Sequence, residues 1–97
     1  MTSDSKSLSD VMNENNLKDY SLPSNFQLGK ELFESGNVEI RKYYLRRVFA
    51  IVHSDTKRKV EFVLNEGLLD WKCTCRLNQT LYCKHAVAVG LEILSRK

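Results

Sequence analysis

Residues 71–85, WKCTCRLNQTLYCKH, hold every cysteine of the chain and one of its two histidines. The pattern is Cys-x-Cys, seven residues, then Cys-x-His. Zinc takes four soft or borderline ligands at the corners of a tetrahedron, and this stretch offers four. Cys73 and Cys75 stand two apart in a segment read as extended, so both thiols point to one side. Cys83 and His85 open a predicted helix, whose N-terminus favours nearby thiolates. The loop RLNQTLY lets the chain return so that the two pairs face each other. Lys72, Arg76 and Lys84 flank the cluster and offset the net negative charge that three thiolates leave on one zinc ion.

Other readings of the same residues compete. Three cysteines can serve as small buried hydrophobes. A strained Cys-x-Cys disulfide is a second reading, but it leaves Cys83 and His85 without a role. An iron–sulfur centre also uses thiolates, although a closed set of three cysteines and one histidine is commoner around zinc. Size bears on the choice. A chain of 97 residues makes one small domain. Such a domain buries only ~60% of the surface its unfolded chain exposes, and a metal or partner often completes its core. No apolar run approaches the ~20 residues of a membrane span. The N-terminus, MTSDSKSLSD, has neither the basic flank nor the apolar stretch of a secretory signal. The thiols are therefore expected to be reduced, in an intracellular setting: cytoplasm, nucleoid or nucleus.

Residues 1–22 are rich in Ser, Asn and Asp and read as a mobile tail. The alternative is a short helix over residues 7–13, capped by Ser7, with Leu8, Val11 and Met12 on one face. It would dock on a partner or fold back on the domain. Leu22-Pro23 marks a boundary. Ser24 and Gln27 form a capping box before a helix that puts Phe26, Gly29, Leu32 and Phe33 on one face. Gly36 supplies its left-handed end. Val38 and Ile40 then alternate with polar residues. The run YYLRRVFAIVH, residues 43–53, is dense in aromatic and β-branched side chains. Residues 54–56 read as a turn, 59–64 as a second long strand, and 65–67 as another turn. Residues 68–75 form the third strand, with Leu69, Trp71, Cys73 and Cys75 on one face. A last helix, residues 82–96, carries an apolar stripe of Ala86, Val87, Gly90, Leu91 and Leu94, widened by Val89 and Ile93. The expected fold class is α+β: an antiparallel three-stranded meander flanked by an N-terminal helix and a C-terminal helix.

The cysteine pattern resembles the SWIM-type zinc finger: Cys-x-Cys, a variable spacer, then Cys-x-His. The helix with Gly29 and Gly36, the strands after Val38 and the apolar AVAVGLEIL after the ligands are also similar to family members, so the resemblance covers roughly residues 26–95. It implies a single zinc-binding domain over residues 23–97 with a ββα-like finger core at 68–96. In that finger Cys73, Cys75, Cys83 and His85 bind one zinc ion per chain. The family occurs in chromatin-remodelling helicases, transposases, a kinase with ubiquitin-ligase activity and recombination accessory proteins. Its usual assigned role is binding DNA or protein. These 97 residues carry no ATPase, transposase or kinase domain, so any such activity is expected from a partner.

Charge gives a weaker signal. The formal net charge is +3, with Lys6 and Lys18 against Asp4, Asp10, Glu14 and Asp19 making the first 22 residues acidic. Arg41, Lys42, Arg46 and Arg47 cluster in one strand region, and Lys57, Arg58 and Lys59 sit at a hairpin tip. Phosphate contacts need such charges, although an ordinary solvated sheet surface carries them too. Strand neighbours point to opposite faces, so Arg46 and Arg47 do not share one flat patch. Tyr43 or Tyr44 offers a ring for stacking on bases. No helix is dense in Arg, Asn or Gln, which argues for DNA binding without strong sequence preference. The alternative is a protein–protein interaction subunit of a DNA-repair or transcription assembly with no DNA contact of its own. Catalysis is not expected. Four protein ligands close the metal to substrate, His53 stands alone near a turn, and no nucleophile or phosphate-loop motif is present. Neither a membrane nor a small-molecule substrate is implied.

Overall fold

The computed structural model describes residues 8–54, 56–65, 68–74 and 81–96. Ser7, Asp55, Glu66, Gly67, Cys75 and Arg76, which figure in the expectations above, lie outside these. Three helices come first, α1 (Leu8–Val11), α2 (Glu14–Asp19) and α3 (Pro23–Glu34). Four strands follow, β1 (Val38–Tyr43), β2 (Arg47–His53), β3 (Lys57–Asn65) and β4 (Leu68–Cys73), and helix α4 (Lys84–Ser95) comes last.

The strands form one antiparallel meander in the order β1-β2-β3-β4. The class is α+β as expected, but the sheet has four strands rather than three. The run at residues 43–53 is not one strand. It folds back at residues 44–46, where the Tyr44 N–H donates to the Arg47 carbonyl at 2.7 Å. Turning there pairs Val38 with Val52 and Ile40 with Ala50, which lines up apolar side chains on one face. A bulge at Arg41 then shifts the register, so Lys42 faces Phe49. The ββα-like finger expected over residues 68–96 includes residues 75–80, which lie outside the described residues.

The inner face of the sheet carries Val48, Ala50, Val52, Val60, Phe62, Leu64 and Cys73, all buried. Helix α4 packs against it, with Val89 and Ile93 fully buried in the shared core. The stripe on α4 was expected to cover one face, yet every residue from His85 to Leu91 is buried. Helices α3 and α2 close its far side. Two glycines permit this. A Cβ on Gly29 would stand 2.6 Å from Val87 Cβ and 2.7 Å from the Lys84 carbonyl oxygen. One on Gly90 would stand 2.6 Å from a Leu17 methyl carbon.

Residues 8–22 do not form a tail. Leu8, Met12 and Leu17 are each at most 1% exposed and join the core. Their burial offsets the entropy of ordering this polar segment. Asn13 caps α2 by accepting the Asn16 N–H at 2.8 Å. The Leu8 N–H donates to the Leu45 carbonyl at 2.6 Å, which ties the segment to the β1–β2 turn.

Helix α3 starts at Pro23 with Leu22 as N-cap and no side-chain cap. The expected capping box is therefore not formed, because Ser24 already lies within the helix. The end is as expected. Gly36 has φ 74°, its N–H donates to the Phe33 carbonyl, and the Asn37 N–H donates to the Leu32 carbonyl. This pair of bonds satisfies the last carbonyls of the helix. Among the described residues, no helix is long and apolar enough to cross a membrane.

Candidate metal centre

Cys73 ends β4 on the inner face, paired with Val60. Cys83 is the N-cap of α4, and its Sγ accepts the Ala86 N–H at 3.4 Å. His85 lies in the first turn of that helix. All three are buried, and their ligand atoms all lie within 4.8 Å of one another. His85 Nδ1 is 3.7 Å from Cys73 Sγ. Zinc bonded tetrahedrally at ~2.3 Å to sulfur and ~2.0–2.1 Å to nitrogen holds those two atoms about 3.6 Å apart. The structure therefore fits the edge of a zinc tetrahedron, and the three residues are positioned for one metal ion. The helix N-terminus also favours negative charge on the capping sulfur of Cys83.

Secondary structure fixes both sides of the site. After Cys73, Thr74 binds β3 twice: its N–H donates to the Lys59 carbonyl at 3.1 Å, and its Oγ1 accepts the Lys59 N–H at 3.0 Å. Before Cys83, the Tyr82 N–H donates to the Tyr20 carbonyl at 2.8 Å. The Tyr82 ring packs 5.3 Å from Trp71 and 6.0 Å from Phe62. Burial, and secondarily Tyr20, pushes the Tyr82 hydroxyl above its ordinary pKa. On the far side of the imidazole, His85 Nε2 lies 3.3 Å from Ser54 Oγ. Neither Ser54 nor the Tyr20–Tyr82 contact was read from the sequence. A turn serine 31 positions from its partner leaves no local signal.

The predicted nucleic-acid residues do not form one patch. Lys57 and Lys59 alternate onto the outer face of β3, opposite His53 and Ile51, and Lys42 faces outward beside Phe49. Lys72, opposite Glu61, shares that face and was not among the predicted residues. These four lysines are exposed and form no ion pair among the described residues. Arg47 also faces outward, but it pairs with Glu61 at 2.7 Å. Arg41 sits at the bulge and pairs with Glu39 at 3.0 Å. Arg46 lies in the β1–β2 turn, and Arg58 alternates onto the face of its partner Val52. His53 is 2.8 Å from Glu39. That hydrogen bond, more than Arg41, holds the Glu39 carboxyl below its ordinary pKa.

A family model described as SWIM zinc finger matches residues 59–91, from β3 through β4 into α4. The chain is also similar to an uncharacterized ATP-dependent helicase of Mycoplasma pneumoniae, 37% identical over 70 residues. That match covers 69% of this chain and 7% of the helicase, so the chain spans a small fraction of its relative. No solved structure matches. With the ligand geometry, the family match makes the ion zinc, one per chain.

Proposed function

We propose, given that residues 59–91 belong to the SWIM zinc-finger family, that this chain is a non-catalytic intracellular module that binds DNA without strong sequence preference as part of a DNA transaction. Cys75 supplies the fourth zinc ligand in this reading, which leaves the metal no open position for a substrate. The zinc is structural and joins the end of β4 to the start of α4.

The observation that carries the reading is the outer sheet face. Lys42, Lys57, Lys59 and Lys72 stand exposed there around the half-buried Phe49 and Ile51. Lysines free of acidic partners can meet phosphates, and a flat face without a reading helix offers little to base edges. The helicase in the name of the similar Mycoplasma protein is in keeping with such a role. The test is fluorescence anisotropy of labelled DNA at increasing salt. Affinity should fall log-linearly with salt, and each of Lys57→Glu, Lys59→Glu and Lys72→Glu should reduce the slope by about one. No binding at low salt refutes the proposal.

In that event a protein partner is the better reading. A separate observation favours it: Tyr44, Leu45 and Leu68 are 57%, 61% and 70% exposed at the end of the sheet away from the metal. Exposed apolar groups brought together at one end fit a protein surface better than a phosphate backbone.

A further inference from the structure

We propose that Ser54 is a positioning residue for the metal centre: its hydroxyl accepts the Nε2–H of His85 and holds the ring with Nδ1 turned to the ion. The proposal rests on the zinc reading above and adds to it a residue outside the family match, which begins at residue 59.

A serine hydroxyl has one proton to donate and two lone pairs with which to accept. Ser54 Oγ lies 3.3 Å from His85 Nε2 and 3.3 Å from the Thr56 carbonyl oxygen. A carbonyl only accepts, so the single hydroxyl proton goes to Thr56. Toward His85, the Ser54 oxygen is then an acceptor, and Nε2 must carry the proton. A neutral imidazole with its proton on Nε2 has its lone pair on Nδ1. Nδ1 is the nitrogen that stands 3.7 Å from Cys73 Sγ. The β2–β3 hairpin thus selects the ring tautomer and fixes the ring plane, as outer partners of metal-bound histidines do.

Ser54 also lines a cleft of about 370 Å³ with His53, Glu31 and Lys84. Water in that cleft can take the Nε2–H when the hydroxyl is removed, but it does not hold the ring. The loss on removing Ser54 therefore belongs at the lower end of the ~10–100-fold range typical of such partners.

The experiment measures zinc affinity by competition with a chromophoric chelator for the wild-type protein, Ser54→Ala and Ser54→Thr. It also reads the His85 tautomer by ¹⁵N NMR in the zinc-loaded wild type. Ser54→Ala should bind zinc about tenfold more weakly, Ser54→Thr should restore the affinity, and the protonated ring nitrogen should be Nε2. An affinity of Ser54→Ala within twofold of wild type overturns the proposal, as does a proton on Nδ1. The tautomer and the threonine variant decide the matter if the alanine variant fails to fold. If the wild-type protein takes up no zinc, the zinc reading itself fails. If it binds zinc tightly with or without Ser54, only the positioning role falls.

Discussion

Replacing Gly29 with alanine tests how closely the metal site depends on the crossing of α3 and α4. The added Cβ would lie 2.6 Å from both Val87 Cβ and Val87 Cγ1, and 2.7 Å from the Lys84 carbonyl oxygen. Comfortable contacts between such atoms are ~3.5–4.0 Å, so the helices must separate by about 1 Å. Rotamer changes cannot relieve this, because one obstacle is backbone and another is a branch point. Overpacking of this kind costs about 1–3 kcal/mol, and the upper half of that range applies here. Alanine's better helix propensity returns roughly 1 kcal/mol. The net loss is about 1–2 kcal/mol, which at a urea m value of ~1–3 kcal/mol per molar lowers the midpoint by about 1 M. Free zinc must be held fixed, because binding to the folded state raises apparent stability. The strain falls on the first turn of α4, between Cys83 and Val87, so zinc affinity should fall with stability. Gly36→Ala is the control. Gly36 has φ 74° and nothing within 4 Å of an added Cβ, so its cost is backbone strain alone, about 1 kcal/mol. It should leave zinc affinity of the folded protein unchanged. A Gly29→Ala protein as stable as wild type in urea would refute the argument.

Two further outcomes follow from the packing and the metal. Leu17→Ala should cost about 2–5 kcal/mol in urea denaturation, because Leu17 is fully buried against Gly90. A negligible effect would mean that residues 8–22 do not belong to the core. Removing zinc with a chelator, or substituting Cys83 by Ser, should unfold α4 from the sheet, since structural zinc contributes ~10–16 kcal/mol in finger peptides. The loss is read by circular dichroism and metal content, and His53→Ala should retain the metal.

The gathering of Cys73, Cys83 and His85 was legible because metal chemistry is specific and these residues are close in sequence. The strand at β3, the alternation of Leu69, Trp71 and Cys73 in β4 and the stripe on α4 were also legible, since burial imposes a period. The β1–β2 turn was not. Tyr44, Leu45 and Arg46 carry none of the residues that mark turns, and the apolar density on both sides reads as one strand. Helix α1 lies within the short helix weighed over residues 7–13, but α2 was missed for a related reason: it buries one apolar side chain, Leu17, too few to stand out in a polar segment. Gly29 and Gly90 were seen on apolar faces, but their reason, close approach of a second helix, exists only once the helices are packed. Lys72 joined the outer face only when the register was known.

The separation of the ligands along the chain has a kinetic consequence. Cys73 and His85 stand 12 positions apart, whereas Leu17 and Gly90 come from opposite ends of the chain. Closing the longer loop costs roughly 1.5 kcal/mol more in chain entropy. Zinc capture needs only β4 and the first turn of α4, so it is the cheaper contact to make early. An ion held there would present α4 to the sheet. The N-terminal helices, which pack on the far side of α4, are then expected to assemble last and open first, an order that hydrogen exchange of the Leu17 amide against those of β3 would read.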